Sequence, residues 1–322
     1  MMATMQDISL EASSGFWRRL EIRFSIAWRR FVWSWAIFRR NRLAMLGVVM
    51  LVLFALMAAI QPILIESGVW PRGIYHAQTG YDGTISPWPA PPGEGHVLGV
   101  DALGRDNLSR LMAATRPTFV LALTAAATTA VLSTLFGAFS AYYRGPLDFI
   151  FTHIADALLL IPPPVLMIVL SSRYYEHLSA AVFGLIYGVL VGGGSGAIVM
   201  RSHALRLVQQ PFVQAARVAG ADGPRIIFRH LVPHMLPLAG AHMMSVVVGA
   251  VVADGFIGFL GFRAVRLNWG QMVYEAIGWL NVFSEPSWAA IFAPALALSL
   301  FAAAFYFISR GLHDVVDPRL QS

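Results

Sequence analysis

Ionisable residues stand inside stretches of the chain that are otherwise apolar, among them His153, Asp156, His242 and Asp254. Ionisable groups inside runs long enough to cross a membrane are functional candidates by default. His153 and Asp156 are three residues apart, which places both on one face of a helix. Their chemistry suits a proton relay, a cation site or a structural hydrogen-bonded pair, and the structural pair is the reading expected here. The expectation for His242 is a core histidine with satisfied nitrogens. For Asp254 it is an anchor of the loop that follows. No nucleophile, base and acid stand at spacings that assemble a hydrolytic site, and no metal spacing such as H-E-x-x-H occurs. The chain has no cysteine, which removes disulfides, thiol catalysis and thiolate-bound metals. It has no lysine either, since all 23 basic residues are arginines. That removes a Walker A phosphate loop and Schiff-base chemistry.

The elements that must position these residues are membrane helices. Hydrophobic residues are 57% of the 322 and charged residues only 12%, about half the charge of a soluble domain. Six apolar runs, near 43–65, 117–143, 149–172, 178–200, 231–259 and 287–309, have the roughly 20 residues needed to cross ~30 Å of hydrocarbon. Pro162, Pro163 and Pro164 remove backbone donors and predict a break in the third run. Gly192, Gly193 and Gly194 predict a soft point in the fourth, or close approach of another helix. With the first residues inside, sixteen arginines fall on the inner side and seven outside, so both termini and the polar segment 201–230 are expected in the cytoplasm. No cleaved signal peptide is expected. Over 17–42, Trp17, Leu20, Phe24, Ala27, Trp28, Phe31 and Trp35 recur at helical spacing among eight arginines. That predicts an amphipathic helix on the anionic inner leaflet rather than a nucleic-acid arm.

The fold expected is therefore all-α and integral to the membrane. It divides into a cytoplasmic N-terminal tail with its amphipathic helix (1–42), a first transmembrane helix (43–65), an extracytoplasmic loop (66–116), a five-helix core (117–311) and a cytoplasmic tail (312–322). Two polar segments interrupt it. In 209–237, Gln214-Ala215-Ala216 reads as a short helix closed by Gly220, because glycine tolerates the left-handed position after a helix. Asp222-Gly223-Pro224 then turns the chain into a second helix, with Pro224 acceptable at its first position. The result is a rigid knob beside the membrane. The outer loop ends in HVLGVDALGRDNLSRL, residues 96–111. There Asp101 suits a helix N-cap, while Arg105/Ser109 and Asp106/Arg110 share a face, predicting an interfacial helix held by local ion pairs.

Both segments carry a resemblance. Q-A-A, three residues, Gly220, nine residues and then His230-Leu231-Val232-Pro233 resembles the cytoplasmic "EAA" loop of permease subunits in ATP-binding-cassette importers, with Gln214 in place of its Glu. Residues 98–111 resemble the "LGTDxxGRDxxSRL" segment of the C-type permease of dipeptide and oligopeptide importers, departing only at Val100. Asp254, then Gly258-Phe259-Leu260-Gly261, then Trp269-Gly270-Gln271-Met272 is similar to that family's "E…SFLG…WGxML". Seven residues rather than about nine precede Trp269, and a proline pair is missing. The tail 311–320 resembles "DGLRDALDPRL".

The resemblance implies a six-helix inner-membrane permease that carries peptides. It pairs with a homologous B-type permease, two ATPase subunits and an extracytoplasmic binding protein, with lipid around it and no nucleic acid. ATP and Mg belong to the ATPases, and no cofactor is expected on this chain. Coupling to the ATPase is implied for Gln214, Ala215, Ala216, Gly220, Asp222, Arg225, His230 and Pro233. Contact with the binding protein or the outer gate is implied for Gly99, Asp101, Gly104, Arg105, Asp106, Ser109, Arg110, Trp269 and Gly270. The competing reading is a proton-coupled secondary transporter using His153, Asp156, His242 and Asp254. Such folds often show inverted repeats, and none is visible.

Overall fold

The computed structural model describes residues 28–29, 32, 34–85, 87–93, 95–174, 178–262, 267–279 and 285–316. Its helices are α1 (Arg42–Glu66), α2 (Arg72–Tyr75), α3 (Asn107–Tyr143), α4 (Gly145–Leu159), α5 (Pro163–Tyr174), α6 (Ala180–Val191), α7 (Ala197–Val208), α8 (Pro211–Val218), α9 (Gly223–Ile226), α10 (Val232–Phe259), α11 (Trp269–Trp279) and α12 (Glu285–Val316). Segments of π geometry, Gly192–Gly196 and Ile227–Leu231, join α6 to α7 and α9 to α10. Five helical stretches are long and apolar enough to cross a membrane, and α4 with α5, bent by 70° at their junction, makes a sixth.

The expected boundaries shift in two places. The second span begins at Asn107, ten residues before the apolar run, because the Asp106 carboxylate accepts from Ser109 N and caps the helix there. Part of the expected outer loop is thus the first turns of a membrane helix. At the other end, α12 continues past 311 to Val316, and Asn41 Nδ2 donates to Asp314 Oδ2 at 2.7 Å. The motif residues 317–320 lie outside the described residues. So does most of the amphipathic stretch 17–42. Of its described aromatics, Trp28 and Trp35 are exposed.

The long α3 lies at the centre, against α1, α6, α7 and α10. Small residues on it, Ala114, Ala122, Ala125 and Ala126, are fully buried and let helix backbones approach closely, as membrane packing requires. One apolar cluster gathers Phe54, Leu121, Phe183, Val247, Trp269 and Phe301. The other, around Met200, Val213, Ile226, Ile227, Leu231 and Met235, seats α8 and α9 on the ends of α3, α7 and α10.

Both expected helix breaks occur, and they meet. The proline run bends the α4–α5 span. In the fourth span Gly194 leaves helical geometry (φ −89°, ψ −108°). A Cβ on Gly193 would stand 2.7 Å from Leu158 Cδ1, and one on Gly192 would stand 2.8 Å from Thr129 Cα. The glycine run is therefore both a soft point and a close contact.

Candidate functional site

The polar segment after α7 folds as a short, tightly terminated hairpin of helices. Pro211 opens α8, where its missing N–H costs nothing. At the other end Gly220 has φ +80°. Ala221 N donates to Ala216 O at 3.0 Å and Gly220 N to Arg217 O at 3.0 Å, the paired bonds of a Schellman cap. Asp222 Oδ1 then accepts from Arg225 N at 3.3 Å and starts α9. Pro224 follows as the second rather than the first residue of that helix. Val213, Ile226 and Ile227 are fully buried, and Arg217 sits 5.1 Å over the Tyr142 ring. The knob is thereby fixed to the ends of the spans.

Its outer surface is left open. Gln214, Ala215 and Arg217 are exposed, and Val218 is 91% exposed. Ala215, Ala216, Arg225 and His230 share a shallow groove of about 470 Å³. Pro233 is the second residue of α10, directly after the π turn that contains His230; its missing N–H cannot bond the Arg229 carbonyl. The structure thus gathers Ala215, Ala216, Arg225 and His230 at one groove, with Gln214, Gly220 and Asp222 on the adjoining helix and turn and Pro233 in the first turn of α10. Val218 was missed, and an apolar residue next to a helix-closing glycine was the available signal.

The outer segment corrects the expectation of local pairing. Asp101 does not cap a helix. Its Oδ1 accepts from Leu103 N and Arg105 N, both at 2.9 Å, and closes a turn. Its Oδ2 receives Arg105 Nε at 2.7 Å and Arg110 Nη1 at 2.5 Å. Both arginines continue to Glu275 Oε2 on α11, at 2.8 and 2.7 Å. Glu275, absent from the sequence reading, is therefore the far side of a long-range ionic lock. Burial pushes its carboxyl up, but the Arg110 and Arg105 guanidiniums outweigh this and hold it below the usual range. The signal in the sequence was a lone acid in an apolar helix, which burial obliges to pair.

Gly99 and Gly104 take positive φ at the turns of this loop. Trp269, 1% exposed, donates Nε1 to Leu111 O at 3.0 Å and packs on Phe54 and Phe301. A side chain on Gly270 would collide with the Gly255 carbonyl of α10, so only glycine lets α11 lie there.

Asp106 pairs not with Arg110 but with His96. His96 Nδ1 lies 2.7 Å from Asp106 Oδ2 and Nε2 lies 3.1 Å from Asp82 Oδ2. Ser109 Oγ donates to Tyr75 O and ties α2 to the same place. A carboxylate at each ring nitrogen asks for an N–H on both, which is the imidazolium. Burial opposes that charge, yet the bonds to Asp106 and Asp82 outweigh it and raise the His96 pKa above 6.5. Burial also raises the Asp106 carboxyl, whereas the Thr84 hydrogen bonds and His96 lower that of Asp82. A raised histidine stabilises fully below its unfolded value and loses that contribution as pH rises through the folded one. Over pH 6 to 9, protease sensitivity of the 72–106 segment in the purified protein should rise several-fold. In His96→Gln it should already be high at pH 6 and change little.

The four intramembrane candidates do not converge. His153 Nδ1 lies 2.8 Å from its own helix's Phe149 O, and Asp156 has no side-chain bond among the described residues, so the expected hydrogen-bonded pair is absent. His242 Nε2 is buried beside Gly196 with no partner, against the expectation of a satisfied histidine. Asp254 anchors the following loop through its backbone carbonyl, which accepts from Asn268 Nδ2 at 3.2 Å, while Oδ1 stays unpartnered. Twelve residues, ~18 Å of helix, separate His242 from Asp254. No relay connects them among the described residues. Among the described residues, no three His, Asp or Glu group to hold a metal. A further ionic pair escaped the sequence reading: Arg201 holds both oxygens of Asp148 at 2.6 Å, joining α7 to α4.

The fold and its two polar segments define a polytopic membrane transport subunit. Residues 133–322 match the family described as "Binding-protein-dependent transport system inner membrane component". The chain is 30% identical over 233 residues to the oligopeptide transport system permease protein OppC of Haemophilus influenzae, covering 71% of this chain and 73% of that one. It is 28% identical over 287 residues to OppC of Bacillus subtilis, covering 88% of each. Over 297 residues it is 27% identical to the dipeptide transport system permease protein DppC of Bacillus subtilis, covering 92% and 85%. The chain belongs to this family of permease subunits of ATP-binding-cassette importers, which work with a separate ATPase and a substrate-binding protein. The family does not favour the proton-coupled alternative.

Proposed function

We propose that this chain is the C-type permease of a peptide importer in a bacterial inner membrane, with both termini in the cytoplasm. It pairs with a homologous B-type permease, two ATPase subunits and an extracytoplasmic binding protein. ATP and Mg bind the ATPases, and this chain neither binds nor hydrolyses nucleotide; without lysine it has no Walker A loop. The relatives named for oligopeptides and dipeptides support peptide as the cargo class.

The observation that carries the reading is the capped knob with its exposed tip. Closure of the ATPase dimer pushes α8. Because α8 and α9 share a packed core with α3, α7 and α10, the push reaches the spans as a rigid displacement. The pathway turns from inward-open to outward-open. ATP drives this only because the dimer closes preferentially in one of the two states. Outside the membrane, the lock on Glu275 and the segment around Trp269 face the binding protein or form the outer gate.

Purification of the whole complex and identification of the ligand retained by its binding protein tests the cargo. Peptides are expected, and a metal ion or polyamine would overturn that part. Gln214 tests the docking surface. Its Nε2 donates to Val208 O at 3.2 Å, a bond worth about 1 kcal/mol that Gln214→Glu loses. A carboxylate on an exposed position gains charge-assisted contacts to the partner in exchange. Stimulated ATP hydrolysis in Gln214→Glu should stay within about twofold of the parent. Collapse of ATPase assembly would show a different docking surface.

A further inference from the structure

Where α1 and α3 pack near the 66–106 loop, they leave a trough in which one arginine stands alone. On α1, Ala55, Ala58, Ala59 and Pro62 recur at i, i+3, i+4 and i+7 and share a face. Arg116, Phe119, Val120 and Leu123 repeat that spacing on α3, and the two stripes line a single open cavity of about 450 Å³. Three alanines keep the α1 side low. Arg116 is exposed and makes no hydrogen bond or ion pair with a described residue. Neither helix contains an acid other than Glu66, the last residue of α1, and Glu66 forms no ion pair with Arg116.

Depth in the membrane follows from helix rise. Arg42 opens α1 beside Arg39 and Arg40, at one edge of the hydrocarbon. Pro62 comes twenty residues later, ~30 Å along the helix, which is the whole thickness of the hydrocarbon. Consecutive spans run in opposite directions. Arg116 of α3 therefore stands at the level of Pro62, and Leu123 near that of Ala55, ~10 Å deeper. Long side chains on a helix lean toward its N-terminus, and α3 begins at Asn107 on this side. The guanidinium thus lies at headgroup depth, with the trough running from it toward the middle of the membrane.

Three features choose the ligand. Apart from Arg116 the lining is apolar throughout, which suits an acyl chain and not a hydrated solute. The flank of α1 beside it, with Leu56, Ile60 and Ile63 exposed, is the surface of a helix that meets lipid. The free guanidinium at headgroup depth asks for an anion, and its planar fork matches phosphate oxygens through two parallel N–H bonds. No carboxylate lines the cavity to receive an ammonium group, so a lipid of net negative charge fits better than one whose headgroup also carries a cation.

We propose that the α1–α3 trough binds an anionic glycerophospholipid, its phosphodiester held by Arg116 and the upper part of one acyl chain lying between the α1 alanines and Phe119 and Leu123. The site is independent of the cargo. Its assignment to the outer leaflet rests on the orientation proposed above.

Because this chain has no cysteine, a bimane attached at Ile63→Cys, beside the trough, reports the lipid there in the complete transporter, whose other chains are made cysteine-free. Proteoliposomes of phosphatidylcholine are doped with rising fractions of phosphatidylglycerol brominated in its acyl chains, or of phosphatidylcholine brominated in the same way. Half-maximal quenching is expected at about a tenfold lower fraction for phosphatidylglycerol, the effect of one charge-assisted contact. Arg116→Gln should remove the preference, and Arg116→Lys should keep most of it. Ala58→Trp, which fills the trough and leaves the guanidinium in place, should remove it as well.

Equal half-quenching fractions for the two lipids, quenching by neither because another chain covers the trough, or a preference that survives Arg116→Gln would each overturn the proposal. A saturating mixture of di-, tri- and tetra-alanine that abolishes the preference would assign Arg116 to a cargo carboxylate and overturn it too. If the transporter takes up none of these peptides while the preference for phosphatidylglycerol persists, the cargo reading fails and the lipid site stands.

Discussion

Gly220→Arg should lower uptake by the reconstituted transporter about a hundredfold, equivalent to ~2.7 kcal/mol, and should remove substrate-stimulated ATP hydrolysis. Gly220 ends α8 at φ +80°, where an L-residue costs about 1–2 kcal/mol. Nothing lies within 4 Å of a Cβ built there, so the added side chain meets no neighbour in the chain and projects from the knob's tip. Two controls separate conformational cost from bulk. Gly220→Ala carries the strain without the size and should retain most activity. Val218→Asp leaves the cap intact and changes only the chemistry of a residue that is 91% exposed, yet it should approach the arginine variant in severity. The measurements are peptide uptake and ATPase rate in proteoliposomes, with co-purification of the ATPase as a third readout. Unchanged uptake and stimulation in Gly220→Arg would sink the assignment of α8 to coupling.

The second large effect is on stability. Glu275→Ala should lower the thermal midpoint of the purified complex by roughly 10 °C. Arg110, with 3% of its side chain exposed, then shares only Asp101 with Arg105. Breaking a buried pair from one side typically costs about 3–5 kcal/mol, because the remaining charge stays out of water. Replacing both sides by apolar groups removes that penalty, so Arg110→Met combined with Glu275→Leu should recover part of the loss. Since the Glu275 carboxyl is held below its usual range, the lock contributes fully above the ordinary glutamate value and weakens only as pH falls through the lowered one. An alanine variant as stable as the parent, or a double variant worse than either single change, would show that α11 is held by Trp269 and apolar packing alone.

Much of the fold was legible because the forces that set it act locally. Six spans follow from run length against bilayer thickness. The α8 helix follows from Gly220, since one residue type commonly takes the conformation that ends it. Pro162 to Pro164 announced their bend for the same reason, as an N–H that does not exist cannot be supplied by folding. The misread features depended on partners far along the chain. Asp106 and Arg110 stand at a spacing suited to a pair, yet Asp106 is turned to His96 and Arg110 to Glu275, 165 residues away. Spacing along one helix states which groups are able to meet; competition from better-placed charges elsewhere decides which do. Asn107 was likewise assigned to a loop because hydropathy does not register a capping carboxylate.

The sequence by itself determined that this chain is a helical membrane subunit with no lysine to build a Walker A loop and no cysteine. It also determined that the short helix of the knob closes at Gly220. Those are consequences of residue type and order: no lysine, no cysteine, long apolar runs, and a glycine and a proline at fixed positions. Only the tertiary structure decided that Glu275 completes the outer lock. It alone showed that the breaks of the third and fourth spans touch, and that Asp156 has no side-chain partner among the described residues. Each is a statement about which distant surfaces face one another, and that is fixed by packing around α3 rather than by any local pattern.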